Sequence, residues 1–269
     1  MAGHPSDVWA SGEAYEPYAG RWSRRVAPEF LEWLSVPPGL RWLDVGCGTG
    51  TLTEAVLALA EPAGVMGVDP SADYLTYARR RIEDGRASFE LGSALSLPAA
   101  EGNCDAVVSG LVLNFVPDSA GAVREMVRVT ADGGMVAAYV WDYAGEMQLM
   151  RYFWDAAVAL DPHARDLDEG VRFPLCKPEP LANLFRGAEL LDVEVRAIDV
   201  PTVFRDFDDY WKPFLGGQGP APSYAMSLTE EHRSALSLHI RSALPVADDS
   251  SIHLTARAWA VKGRRTTVT

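Results

Sequence analysis

Apolar positions along residues 41–142 switch repeatedly between two periods. "RWLDV" (41–45) is a short continuous apolar run and reads as a buried strand. "TLTEAVLALAE" (51–61) then sets Leu52, Ala55, Val56 and Leu59 on one helical face, and Pro62 ends it. "VMGVD" (65–69) predicts a second strand, followed by Ser71 as the cap of a helix whose Leu75, Ala78 and Ile82 share a face. Strands follow at 87–91 and 104–110, then a helix over 119–130 closed by "DGG", then a fifth strand over 135–142. Short strands alternating with helices at this spacing predict an α/β fold with a doubly wound, mostly parallel sheet.

Beyond residue 142 the pattern changes. Residues 143–186 read mostly as helix, with Met150, Phe153, Trp154, Ala157 and Leu160 apolar. Strands at 188–200 and 251–263 bring the expected count to seven, and aromatic-, Gly- and Pro-rich sequence separates them. The N-terminal 36 residues have a helical pattern of their own, carried by Val26, Phe30, Trp33 and Leu34. We expect one domain over 1–269, with its core at 38–142, 188–200 and 251–263. The helical insertions 1–37, 143–187 and 201–250 are expected to form a lid beyond the carboxyl ends of the strands, where open α/β sheets bind ligands.

The join between the first strand and helix, "DVGCGTG" (44–50), has three glycines in five positions. Glycine accepts positive φ and has no Cβ to hold a ligand away from the main chain. The dinucleotide fingerprint is G-x-G-x-x-G. Here the spacing is G-x-G-x-G, and Asp44 stands two residues before the first glycine. A carboxylate there opposes a pyrophosphate at the helix N-terminus and suits a cationic amine or sulfonium. Asp69, 23 residues after Gly46, ends the next strand, where an acid can accept hydrogen bonds from ribose hydroxyls.

Composition narrows the partners. A formal net charge of −13 disfavours nucleic acid and anionic membrane surfaces. No apolar run approaches the ~20 residues of a membrane span, and the N-terminus lacks a signal-peptide pattern. Cys47, Cys104 and Cys176 are too scattered for a disulfide framework or a zinc site, so a reducing, cytoplasmic compartment is expected and no metal. Oligomeric state is left open.

"LDVGCGTG" (43–50), "VDPS" (68–71), "LGSALSLPAAEGNCDAVVSGLVLNFVPD" (91–118) and "REMVRVTADGGMVAAYVWD" (124–142) together resemble the ordered motifs of the class I S-adenosylmethionine-dependent methyltransferases. Among these, the chain is similar to the small-molecule enzymes of the ubiquinone/menaquinone-biosynthesis type. The resemblance implies a Rossmann-like fold and S-adenosyl-L-methionine as cofactor. It places Gly46, Cys47 and Gly48 against the methionyl part, Asp44 near its amine and Asp69 on the ribose. Pro70 and Ser71 would flank the adenosine. Ser93 and Ala94 occupy the place of the family's Asp-Ala beside the adenine amine; Ser93 replaces the usual acid, which leaves the Leu95 backbone as another contact. Ser109 and Asn114 would follow the fourth strand toward the methionyl end and the reacting centre. The family's N-terminal segment often closes over the cofactor. Here Tyr15, Tyr18, Arg21 and Trp22 are available for it, Arg21 to pair with a carboxylate and the aromatics to cover a sulfonium.

Methyl transfer from a sulfonium needs alignment first, and a general base only for a protonated acceptor. Asp142 and Tyr143, just past the fifth strand, and His163 in the insert are the candidate bases. "RDFDD" (205–209) lacks metal-ligand spacing and reads as a solvated loop with a helix cap. The aromatic inserts point to a small organic acceptor with an O, N or C nucleophile. Two alternatives stay open: a non-catalytic S-adenosylmethionine-binding protein and a nicotinamide-dependent oxidoreductase.

Overall fold

The structure is a computed structural model that describes residues 20–216 and 219–266. Its elements are α1 (Arg21–Leu34), β1 (Arg41–Val45), α2 (Thr51–Leu59), β2 (Gly64–Asp69), α3 (Ala72–Arg81), β3 (Ala87–Leu91) and β4 (Cys104–Gly110). α4 (Ser119–Val129), β5 (Thr130–Trp141), α5 (Gln148–Leu160), α6 (Glu169–Arg172), α7 (Pro178–Arg186) and β6 (Leu191–Phe204) follow. The chain ends through α8 (Phe207–Trp211), α9 (Pro220–Ser227), α10 (Glu230–Ala243) and β7 (Ile252–Arg264).

The seven strands form one sheet in the order β3-β2-β1-β4-β5-β7-β6. β1 pairs in parallel with β2 and β4, β2 with β3, and β4 with β5, whereas β7 runs antiparallel to β5. The chain thus winds outward from β1 to β3 and restarts at β4 on the other side of β1. The carboxyl ends of β1 and β4 flank that reversal, which is where open α/β sheets form ligand crevices.

Two compact units divide the chain. Among the described residues, a sheet unit comprises Ser23–Trp141, Leu175–Ile198 and residues 258–266; a helical unit comprises Asp142–Pro174, Asp199–Arg257 and residues 20–22. These boundaries differ from the expected inserts 1–37 and 143–187. Most of α1 belongs with the sheet because Val26, Phe30 and Leu34 are buried and Phe30 meets Tyr139 of β5 edge-on at 4.8 Å. α7 joins the sheet unit through buried Leu181, Ala182 and Phe185. The strand expected at 188–200 runs on to Phe204, with Ile198, Val200, Thr202 and Phe204 alternately buried.

Two smaller differences have local causes. α2 buries Leu52, Thr53, Val56 and Leu57, while Leu59 is 57% exposed. The helix is turned from its apolar stripe because the Thr53 hydroxyl faces Asp44. α4 stops at Val129, before the "DGG" expected to close it, because Thr130 turns extended and donates its hydroxyl to Met126 O at 2.7 Å.

Candidate active site

The loop after β1 is held by backbone bonds that glycine makes available. Gly46 N and Cys47 N donate to Val68 O at 2.7 and 3.0 Å, which pins the turn to the end of β2. Gly46 has φ +73, and a Cβ there would stand 2.5 Å from Val112 Cγ2. Val112 follows β4, so this glycine lets the two strand ends approach. Gly48, at φ +52, is different: a Cβ there meets nothing within 4 Å. Gly50, at φ +85, caps α2.

Two carboxylates frame this loop. Asp69 accepts from Gly48 N at 2.9 Å and from Ser71 N at 2.8 Å, so each of its oxygens takes one backbone N–H. Burial raises its pKa, and those two bonds oppose the rise. Asp44 is fully buried. Thr53 donates its hydroxyl to Asp44 Oδ2 at 2.7 Å, while Asp44 Oδ1 is buried with no hydrogen-bond partner. Burial pushes the Asp44 carboxyl up to about 7, Thr53 opposing it and the charge of Asp69 adding to it. A buried acceptor left unsatisfied is costly and calls for a donor. The orphaned oxygen, the uncrowded Gly48 and the second acid fit a ligand carrying a cationic amine and vicinal hydroxyls.

The other expected cofactor residues take varied positions. Cys47 turns its side chain into a core with Leu75, Ala78 and Phe89, which leaves only its backbone for a ligand. Burial and the neighbouring acids hold its thiol far above its ordinary value, as expected of a non-nucleophile. Pro70 is exposed, and the Ser71 hydroxyl caps α3 by accepting from Tyr74 N. Ser93 Oγ accepts from Leu95 N at 3.2 Å, so the Leu95 amide expected to meet adenine is already engaged. Ala94 lies in the same turn, closed by Ser96 N donating to Ser93 O. Ser109 lies within β4, not after it, and its buried hydroxyl donates to Val45 O at 2.8 Å, tying β4 to the end of β1. Asn114, in a 3-10 turn over Leu113–Phe115, has a buried Nδ2 without a partner.

The chain matches the family model described as "Methyltransferase domain" over residues 43–138. A demethylmenaquinone methyltransferase of Roseiflexus sp. is 34% identical over 181 residues, covering 61% of this chain and 74% of the relative. The chain belongs to the class I S-adenosylmethionine-dependent methyltransferases.

Other relatives agree with that assignment. The 2-methyl-6-phytyl-1,4-hydroquinone methyltransferase of Synechocystis sp. is 28% identical over 188 residues, 69% of this chain and 58% of that protein. The phosphoethanolamine N-methyltransferase 2 of Haemonchus contortus, solved with S-adenosyl-L-methionine, superposes with a TM-score of 0.59 at 14% identity, over 98% of this chain and 62% of that one. This last likeness is one of fold. As a member of the family, the methyltransferase takes S-adenosylmethionine as cofactor, which sets aside the nicotinamide and non-catalytic alternatives. No described helix is long and apolar enough to cross a membrane.

In the helical unit, Arg21 donates to Asp209 Oδ1 at 3.2 Å and to Asp209 O at 3.3 Å, and its guanidinium lies over Trp22 and Phe204 at 4.3 and 4.8 Å. Arg21 therefore has an intramolecular carboxylate, and Trp22 is buried edge-on against Phe204. Asp206 caps α8 as expected of "RDFDD", but Asp209 is no mere solvated acid. Tyr15 and Tyr18 lie outside the described residues. Asp142 organises the turn after β5: its backbone N donates to Arg257 O, and its carboxylate accepts from Glu146 N at 3.0 Å. Tyr143 is buried beside Phe173, with ring centroids 5.7 Å apart. His163 is exposed, its backbone N donating to Asp161 in a 3-10 turn.

Sequence reasoning missed three groups. Thr53 and Val112 shape the loop, and a hydroxyl on the inward face of α2 was the available signal for the first. Glu169 is fully buried and accepts from Trp154 Nε1; burial raises it to about 8. Beside it Arg151 donates to Asp168 at 2.7 Å. Nothing in "LDEGVR" distinguishes this buried acid from surface charge.

Proposed function

We propose that this methyltransferase acts on a small ring-bearing acceptor of the hydroquinone class, recognised by the aromatic interior of the helical unit. The observation that carries the reading is the composition of that interior. Phe153 stacks on Phe214 at 4.6 Å and meets Trp154 edge-on at 5.2 Å, Trp154 packs on Tyr224 at 5.5 Å, and Phe207 stacks on Trp211 at 6.3 Å. Phe153, Trp154 and Phe214 are fully buried against one another, and the half-buried Phe207 and Trp211 at their edge offer ring faces that suit flat apolar ligands with few polar groups. Two relatives support the same class, since their names specify a demethylmenaquinone and a phytyl hydroquinone as substrates.

The cofactor supplies an activated methyl group. The work left to the chain is alignment, which supplies roughly 7–11 kcal/mol of barrier lowering. We assign the ribose to Asp69, whose oxygens retain acceptor capacity beyond the two amide bonds they make, and the methionyl amine to Asp44 Oδ1. Asn114 Nδ2 is assigned to the methionyl or acceptor oxygens. Asp142 and Tyr143, which directly follow β5 along the chain, are assigned as the polar groups for the acceptor. His163, exposed, is the weakest of the three candidate bases.

The test is turnover of labelled S-adenosylmethionine against a panel of one hydroquinone, one catechol, one primary amine and one carboxylate. Methylation of the hydroquinone with the best kcat/KM supports the reading. Preference for the amine or carboxylate overturns the acceptor class.

A further inference from the structure

Asp44 has two features that its place in the loop does not require. Its Oδ1 is buried and unpartnered, while Thr53 serves the other side of the carboxylate, donating its hydroxyl to Oδ2 at 2.7 Å with its backbone N–H adding a further bond. Among the described residues no Arg or Lys pairs with it. The titratable and charged groups around it are few. Asp69 at the end of β2 and Cys47 in the loop face it, both acids, and the charge of Arg79 on α3 acts on Cys47 rather than on Asp44. α2 contributes the Thr53 hydroxyl, and β4 contributes the Ser109 hydroxyl, which is donated to Val45 O. A second negative charge in this setting has no counter-ion until a cation arrives.

We propose that Asp44 is a proton-linked switch for cofactor binding: it carries a proton in the free protein and releases it to solvent when the cofactor's cationic amine meets Oδ1. In the free protein the proton removes a charge that burial and Asp69 both oppose. In the complex the ammonium donates to the deprotonated carboxylate, and charge is balanced within the loop. The cofactor binds as one cation-bearing ligand and one proton leaves, so the exchange is electroneutral at Asp44.

The sign of the pH effect follows. The free carboxyl is held near 7 by burial, and a cation in contact lowers it. Below about 7 each bound cofactor must expel a proton, so affinity falls as pH falls, by about tenfold per pH unit. Above about 7 Asp44 is already ionised and this dependence levels off. The device tunes cofactor loading to pH in the physiological range without any histidine.

Calorimetry with S-adenosylhomocysteine, at about pH 6 in two buffers of different ionisation enthalpy, counts the protons released. 5′-Methylthioadenosine, which lacks the amine, is the paired control. The expected result is a release approaching one proton for the first ligand and none for the second. Asp44→Asn should abolish the difference. Thr53→Val, which removes the bond that favours the ionised carboxylate, should move the pH midpoint of S-adenosylhomocysteine affinity upward; it also serves if Asp44→Asn does not fold. Equal proton counts for the two ligands, a release that survives Asp44→Asn, or an unmoved midpoint in Thr53→Val each overturn the proposal. None of these readouts depends on the acceptor, so the proposal and the hydroquinone reading fail separately.

Discussion

The loop at residues 44–50 and the interior of the helical unit are built by different means. In the loop, the atoms available are backbone amides and two carboxylates, and the geometry comes from positive φ at Gly46, Gly48 and Gly50. Side chains there mostly keep out of the way, Cys47 by turning into the core. In the helical unit, backbone geometry is ordinary helix and the interior is a set of packed rings around Phe153, beside an Arg151–Asp168 ion pair and the buried carboxyl of Glu169. A surface made of main chain tolerates almost no substitution at its turning points. A surface made of side chains can be repacked.

The sharpest break of the comparison lies at Gly46. An alanine there puts Cβ 2.5 Å from Val112 Cγ2 at φ +73. Left-handed strain and overpacking together predict a loss of about 2–5 kcal/mol in stability. Urea unfolding checks this, and Val112→Ala in the same chain should recover the overpacking part. Gly48→Ala, which meets no atom within 4 Å, should lose much less stability yet weaken S-adenosylhomocysteine binding. If the two alanines behave alike, the loop is not built from a packed glycine and a ligand-facing one.

The same contrast governs what was legible in the sequence. Strand ends, glycines and acids that must stand at fixed spacings write themselves into the chain, so the doubly wound seven-stranded sheet and the position of Asp44 and Asp69 at strand ends were readable, while the strand order was not. What packs across the chain was not. Thr53 appears to any periodicity analysis as a polar interruption of α2, and only the fold pairs it with Asp44, nine residues earlier. The insert boundaries shifted for a similar reason: α1 and α7 carry amphipathic faces like those of the helical unit, and which unit buries them depends on tertiary partners. Glu169 lay hidden in a charged stretch because burial of a single acid has no local signature.

Glu169 supplies the next effect, on the side-chain half. Burial raises its carboxyl to about 8 from an ordinary 4.5, so the folded protein holds a proton that the unfolded chain gives up between those values. Stability contributed by that proton is fully present below about 4.5 and is lost as pH rises to about 8. Glu169→Gln keeps an acceptor for Trp154 Nε1 and cannot ionise. Its unfolding free energy should vary less between about pH 5 and pH 8.5 than that of the parent, by on the order of 3 kcal/mol. Parallel pH profiles would show that the carboxyl is hydrated in solution.

At Asp69 the comparison returns to the loop. Asp69→Ala should weaken S-adenosylhomocysteine binding by ~1.5–3 kcal/mol, the range for hydrogen bonds to a charged group. Because Gly48 N and Ser71 N also lose their acceptor, part of that loss is loop disorder. Asp69→Asn separates the two contributions, since an amide oxygen still receives one of these N–H groups. Unchanged affinity in a folded Asp69→Ala variant would remove this residue from the ribose.

The smallest effect tests which half Arg21 serves. Its guanidinium is bonded to Asp209 within the helical unit, and both side chains are largely covered, at 27% and 15% exposure. A partly buried pair of this kind, flanked by Trp22 and Phe204, should couple by about 1 kcal/mol in a double-mutant cycle of Arg21→Ala and Asp209→Ala. The alternative use, as partner of the methionyl carboxylate, makes a different demand. Arg21→Ala would then weaken S-adenosylhomocysteine much more than 5′-methylthioadenosine, which lacks that carboxylate, and Asp209→Ala would not. We expect the stability coupling and matched losses for the two ligands, because the charge of Arg21 is already balanced by Asp209, which Arg205 also contacts through its backbone N–H and its guanidinium. A selective loss for the carboxylate-bearing ligand would move Arg21 from the side-chain architecture to the cofactor.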